Sequence, residues 1–454
     1  MTTPTLALAR FALDCRYEQL PAKTVAEAHR TFLNWMGCAI GASQHPTVER
    51  ALAAVRRIAG PAQASLIGRT ERLDMLHAAL LNGIASHTYD FDDTHLKTII
   101  HPAGPVAAAI LAFAEAQAGG GVVSGRDFIN ALVIGVDVEC RIGNAVYPQH
   151  YDVGWHITGT TGVFGAAAAC GRLLGLSEQQ MVWALGIAAT QASGLREMFG
   201  SMSKPFHPGN AAKNGLFAAL LAKENFTSSE QGIEAKRGFA HVLSTKFDAN
   251  EITQDLGSRF EIDLNTYKPY ACGIVIHPSI DGCVQLAHKH ALKADQIERI
   301  ELGIHPLVLE LTGKRMPRTG LEGKFSVYHS CACAVMFGRA GEEEYSDEAV
   351  SSAAVIALRD RVQADVKPGV AEHQADVRVI LKNGQVLHLF VEHALGSLER
   401  PMSDADVDAK FRGLAEAVFS EERIVKLIAA CRDLGAMSDV RQLVPLMTGT
   451  RGVL

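Results

Sequence analysis

The densest chemistry in the chain lies in HTYDFDDTHLKTIIHPAGP, residues 87–105. Asp90, Asp92, Asp93, His87, His95, His101 and Lys97 crowd into a segment whose neighbours read as buried helix. Four further polar islands sit in equally apolar surroundings: YDVGWHITGTTG (151–162), SMSKPFHPGNAAKNG (201–215), TYKPYACGIVIHPSIDG (266–282) and LEGKFSVYHSC (321–331). Each sets a His or Lys beside Gly or Pro, where helices begin and end. A helix start leaves backbone N–H groups free, and these suit a carboxylate. Lys204 and Lys268 add full positive charges, and His101 and His156 can exchange protons near neutral pH. That inventory fits a small polyanion whose carbon acid is deprotonated. Lysines neutralise the carboxylates and so raise the acidity of the adjacent C–H.

Taken singly, each residue has a structural alternative. His101 or His277, each before a proline, can be a hydrogen-bonded core residue. Lys204 and Lys213 can run along the surface, and Asp90 and Asp93 can cap a helix. The joint occurrence carries the argument, because five polar islands in close-packed Gly/Ala helix are costly unless their polar groups meet. A metal held by Asp90, Asp92, Asp93, His87, His95 and His101 is the other use of such groups, but their spacing specifies no known site. The expectation is a site without metal. GGGVVSG at 119–125 follows a helix, fits neither phosphate-binding glycine pattern, and reads as a turn. There is no GxSxG or HExxH, and His288 and His290 would point to different helix faces.

These residues need a large scaffold to bring them together. At 454 residues and 48% hydrophobic, the chain can bury a large core and divide into about two domains. A net charge of -6 without a Lys/Arg stripe argues against nucleic acid, so any anion must be met by local charge in a pocket. The N-terminal segment MTTPTLALARFALDC lacks the pattern of a signal peptide, and no run of about eighteen apolar residues suggests a membrane span. The nine cysteines are scattered without a CxxC pair, which suits free thiols in a reducing cytoplasm.

Residues 1 to about 260 read as helix almost throughout, with Thr24 and Glu27 as a capping box and a helix end at Gly41. The period changes near 265. Ile300, Leu302 and Ile304 alternate with polar neighbours, and ADVRVILKNGQVLHLFVEH holds two strands joined at Asn383-Gly384. EEYSDEAVSSAAVIALRDRV between them reads as helix, and after Pro401 helices return with Ser403 and Ser420 as caps. The expected fold is therefore mainly α. A large helical domain, 1–265 and 396–454, carries a smaller inserted α+β lid domain, 266–395.

HTYDFDDTH…HPAG, GWHITGTTGVFGAAAA, SKPFHPGNAAKNG and LEGKFS, in this order over nearly the whole chain, resemble the signature segments of the MmgE/PrpD family. The family includes 2-methylcitrate dehydratase, cis-aconitate decarboxylase and iminodisuccinate epimerase. The resemblance implies a site in the cleft between a helical and a lid domain, homodimers, and chemistry without metal or organic cofactor. By position it implies catalytic roles for Asp90, His101, Tyr151, His156 and Lys204. It implies substrate binding by Thr94, Lys204, His207, Lys268, Lys324, Ser326 and His329. The chain departs from the pattern in three places. Its DFDDT-to-HPAG spacer is one residue longer, Thr266 stands where the decarboxylase has a lysine while Lys268 directly precedes Pro269, and His329 replaces a common tyrosine, with Tyr328 one place earlier. These point away from cis-aconitate decarboxylation. The expected activity is a hydro-lyase acting on a small di- or tricarboxylate. The alternatives are an epimerase or racemase of an amino- or imino-dicarboxylate, a decarboxylase, and a non-catalytic metabolite-binding paralogue.

Overall fold

A computed structural model describes residues 3–117 and 121–449. Six helices of the first half build the floor of the site: α1 (Ala22–Gly41), α2 (Met75–Thr88), α3 (Ala103–Ala116), α4 (Gly125–Val146), α5 (Ile157–Leu173) and α6 (Ser203–Lys223). Every residue of α3 from Ala103 to Glu115 is buried, as expected of a helix apolar on all sides and surrounded by others. Asp74 caps α2 and Ser124 caps α4, each accepting a backbone N–H of the first turn. GGGVVSG lies partly outside the described residues, and its last part leads through Ser124 into α4. The capping box expected at Thr24 and Glu27 does not form. Helix α1 starts earlier, after Pro21, and Thr24 is buried inside it.

Small residues decide how closely these helices approach. A Cβ on Gly83 of α2 would lie 2.6 Å from the Cα of Gly209 of α6. Any side chain there would force the two helices apart. This crossing brings the start of α6, with Lys204 and His207, beside the end of α2, with His87. After Thr88 the chain leaves the helix, and Asp90 turns it through a left-handed conformation at φ 51°.

The smaller half carries a four-stranded sheet of β1 (Ile297–Ile304), β2 (Val362–Val366), β3 (Ala375–Leu381) and β4 (Val386–Val391), in the order β2-β1-β3-β4. β1 pairs parallel with β2 through Ile300↔Val362, and antiparallel with β3 through Ile300↔Val379. Ile300, Leu302 and Ile304 point into the core, as their alternation predicts. β3 and β4 form the expected hairpin, turning through Lys382, Asn383 and Gly384, with Gly384 at φ 86°. Helices α7 (His277–His290) and α8 (Val327–Phe337) pack against this sheet. The helix expected over 343–362 is instead two short helices, Asp347–Ser351 and Ala353–Arg359, broken where Ser352 is extended, and Val362 already belongs to β2.

The buried apolar residues form two clusters. One runs from Leu8 to Tyr267 and takes in Met402–Met447, and the other is built mainly from residues 270–387. Helix α9 (Asp404–Ala415), capped by Ser403, packs on α1 where Gly37 meets Phe411 and Gly41 meets Leu414. Ser420 precedes the next helix but makes no capping bond. Among the described residues, no helix is long and apolar enough to cross a membrane.

Candidate active site

His87, at the end of α2, is fully buried. Its Nδ1 donates to Asp92 at 2.7 Å, and its Nε2 accepts from the Lys204 ammonium at 3.0 Å. The arrangement needs a neutral ring. Burial pushes the His87 pKa down to about 4, and the Asp92 carboxylate only partly opposes this. Asp90 stands at the centre, with Lys204 Nζ 3.0 Å from one oxygen and Lys268 Nζ 2.6 Å from the other. Burial alone would raise its pKa, but the two ammoniums override it and hold the carboxyl well below the usual range. Lys268 also donates to the carbonyls of Asp90 and Cys272, at 3.0 and 3.1 Å. Burial lowers the Lys204 pKa against the pull of Asp90.

The turn after Asp90 fixes His101. Its Nδ1 lies 2.9 Å from the Asp93 carbonyl and 3.3 Å from an Asp92 oxygen. A carbonyl can only accept, so Nδ1 carries the proton and Nε2, 4.0 Å from Asp90, keeps its lone pair. Burial lowers the His101 pKa below 6.5 despite Asp92, so the ring is a free base at neutral pH. Thr158 at the start of α5 holds the His101 backbone N–H at 3.1 Å. Asp93 itself turns away, accepting from Ala103 N at 3.1 Å and Asn265 at 2.8 Å, and burial pushes its pKa up to about 7.

His156 precedes α5 and shares a proton with His207 of α6, Nδ1 to Nδ1 at 2.8 Å. Burial, then the neighbouring His207 and Lys204, hold the His156 pKa well below its ordinary value. Tyr151 is buried beneath the Arg196 guanidinium, 4.1 Å from its ring, and burial raises its pKa. Asp90, His101, Tyr151, His156, Lys204 and Lys268 line one cavity of about 370 Å³. Phe199 and Phe325 close it from opposite halves of the chain, their rings 5.5 Å apart and the Lys204 ammonium 5.2 and 5.4 Å from their centres.

The other residues implied by the resemblance lie outside this cavity's lining. Thr94 stands behind His101, 3.5 Å from its Nδ1, and its carbonyl accepts from Thr266 at 2.7 Å. His207 backs His156. Lys324 points into a separate polar cluster, where it donates to the Ala271 carbonyl at 2.8 Å and to Glu342 at 3.2 Å. Ser326 caps α8, and His329 Nε2 donates to the Glu344 carbonyl at 2.7 Å. None of these three lines the cavity, and their polar atoms bond mostly to their own neighbours, with His329 Nδ1 left without a partner.

His87, Asp90, Asp92 and His101 present ligand atoms within 4.8 Å of one another, close enough to surround a cation. Most of their lone pairs are already engaged, with His101 Nε2 the exception. Both nitrogens of His87 and both oxygens of Asp90 face Asp92 or an ammonium. A divalent ion would have to displace two lysines, so these residues do not fit a metal centre.

Sequence reasoning missed His87 as the link between Lys204 and Asp92, and missed the apolar wall of Phe199, Leu311 and Phe325. It also missed Lys410 of α9, whose ammonium donates to the carbonyls of Phe91 and Lys268 at 2.5 and 3.0 Å and ties the Asp90 turn to the Lys268 segment. A lysine in an ordinary amphipathic helix gives no signal of this.

The sequence matches the MmgE/PrpD N-terminal domain over residues 6–252 and the MmgE/PrpD C-terminal domain over 270–434. The chain belongs to the MmgE/PrpD family. Among its relatives it is 28% identical to the cis-aconitate decarboxylase-like protein oryM of Aspergillus oryzae, over 98% of this chain and 97% of that one. It is 27% identical to the human cis-aconitate decarboxylase, over 83% of this chain and 80% of the other. It is 22% identical to the 2-methylcitrate dehydratase of Salmonella typhimurium, over 74% and 72%. Membership in the MmgE/PrpD family with such relatives supports an enzyme, and both named activities are lyase activities.

Proposed function

We propose that this MmgE/PrpD protein is a hydro-lyase that dehydrates a small hydroxycarboxylate. The observation that supports this most is His101, pinned through Nδ1 so that an unprotonated Nε2 faces the cavity beside the Asp90–Lys204–Lys268 cluster. A substrate carboxylate joins the two ammoniums, which makes the adjacent C–H more acidic. His101 removes that proton, the electron pair forms the C=C bond, and the C–O bond to the neighbouring carbon breaks. The departing hydroxide leaves as water, taking the proton of the Tyr151 hydroxyl, which burial keeps protonated beside the cavity. A positioned base and acid contribute about 10²–10⁴-fold each, and neutralisation of the developing enolate by the ammoniums supplies much of the rest. In this reading residues 266–395 act as a lid on the helical domain, and the enzyme works as a homodimer without metal or organic cofactor.

The test is to incubate the purified protein in deuterated water with a panel of C4–C7 hydroxy- and unsaturated carboxylates and follow it by NMR. Loss or gain of water with deuterium at the adjacent carbon, abolished in His101→Gln, is the expected result. Solvent exchange into unchanged substrate without water loss would sink the proposal in favour of epimerisation. Decarboxylation is the second reading, favoured by the longer matches to proteins named for it. Release of carbon dioxide from cis-aconitate would establish it instead.

A further inference from the structure

Much of the lining of the cavity is apolar, and the acid–base chemistry does not use it. Ile99, Ile274, Val275, Leu311, Phe199 and Phe325 line the same space as Asp90 and the two lysines. The charges on the polar side are few. Lys204 and Lys268 are the cations of this lining among the described residues, and Asp90 already takes one bond from each. A tricarboxylate would bring three negative charges to groups that largely cancel one another, with aliphatic and aromatic side chains against the remainder. One or two carboxylates beside a hydrocarbon arm match both walls.

Ile99 marks where such an arm would go. Its φ is 60°, a left-handed conformation that a β-branched residue adopts rarely and at a cost. The backbone is held there firmly. The Ile99 N–H donates to the His95 carbonyl at 2.9 Å, and the His95 ring is fixed by Thr98 at 2.7 Å and Glu261 at 3.0 Å. Beyond Ile99, Ile274 and Val275, which line both spaces, lies a second, largely apolar cavity of about 630 Å³. It passes Leu96, Pro278 and Leu395 and reaches the exposed Glu372 and His373.

We propose that the substrate carries an apolar arm next to its carboxylates, that this arm lies along Ile274 and Val275, and that Ile99 sets its length by standing between the two cavities. The inference rests on the carboxylate chemistry proposed above and narrows its substrate class.

Calorimetric titration of the full chain with succinate, methylsuccinate, butylsuccinate and octylsuccinate tests it. In the wild type, affinity should rise about two- to fourfold per methylene up to the butyl arm, then level off or fall at octyl. Ile99→Gly suits the local φ and opens the partition, so it should extend the rise to the octyl member by tenfold or more. Ile99→Ala should do so in part, and Ile99→Val should keep the wild-type limit. Lys268→Met should weaken every member by a common factor and leave the dependence on arm length intact. If butylsuccinate binds no better than succinate, or if neither Ile99→Gly nor Ile99→Ala moves the length limit while both variants melt cooperatively, the arm proposal is overturned and the carboxylate chemistry stands. If none of the four binds, the carboxylate chemistry fails and the arm proposal with it.

Discussion

Two polar islands of this chain look alike on paper and behave differently in space. Around Asp90, polar atoms meet across the helical half yet leave capacity unused, because the unprotonated Nε2 of His101 faces the cavity, 4.0 Å from Asp90. Around Lys324, the polar atoms mostly meet one another, although His329 Nδ1 has no partner. Lys324 is held by Ala271 and Glu342, His329 by Glu344, and Tyr345 by Ser330. Burial pushes the Glu342 carboxyl up to about 7, but the lysine beside it works against this. A closed network of this kind stabilises one arrangement of the smaller half. An open one, paired with a cavity, is equipped to receive a charged guest.

The sharpest way to break the comparison is at His101. His101→Gln should lower kcat/KM by about 10²–10⁴-fold with little change in thermal midpoint, measured by steady-state kinetics and calorimetry. Activity lost in proportion to stability would put His101 in the structural class instead. Lys204→Met should come next, at about 10²-fold in kcat/KM, because one ammonium facing the carboxylate and the developing charge is removed. An unchanged KM and kcat would exclude it.

The pH profile sharpens the same contrast. Burial lowers the His101 pKa from 6.5, so the base is unprotonated down to below that value. The acid limb of kcat/KM should therefore lie below pH 6.5, with activity rising as pH rises and then flat through neutrality. A limb centred above 6.5 would contradict the assignment. In the closed network the expected effects fall on stability. Lys324→Met leaves Glu342 and the Ala271 carbonyl without a partner and should cost about 2 kcal/mol in urea unfolding, with turnover at saturating substrate largely kept. The smallest effect is Ser326→Ala, which removes the cap of α8 and should cost about 1 kcal/mol. A large loss of turnover in either variant would reunite the two islands.

How much of this was legible varies from element to element. The hairpin at Asn383-Gly384 and the alternation through Ile300, Leu302 and Ile304 are local signals, and the chain follows them. The break at Ser352 and the early start of α1 at Pro21 were not legible, because propensity over a short window does not say where tertiary packing ends a helix. Within the site, the types of Asp90, His101, His156, Lys204 and Lys268 were enough to suggest proton chemistry on an anion. Phe199 and Leu311 were invisible, since an apolar residue facing a cavity looks like any core residue.

What the sequence determined by itself was the chemical inventory and the texture around it: acids, imidazoles and lysines set at helix ends between close-packing Gly/Ala segments, followed by a strand-rich stretch. Those are properties of neighbours in the chain, and side-chain type and period report them directly. Only the tertiary structure decided which islands converge. Lys204 reaches Asp90 because Gly83 and Gly209 let two helices touch, and Lys268 reaches it from a segment 178 residues along the chain. Whether a buried charge meets a partner or a cavity depends on a few ångströms between segments more than a hundred residues apart. Interactions at that range leave no mark on local sequence pattern.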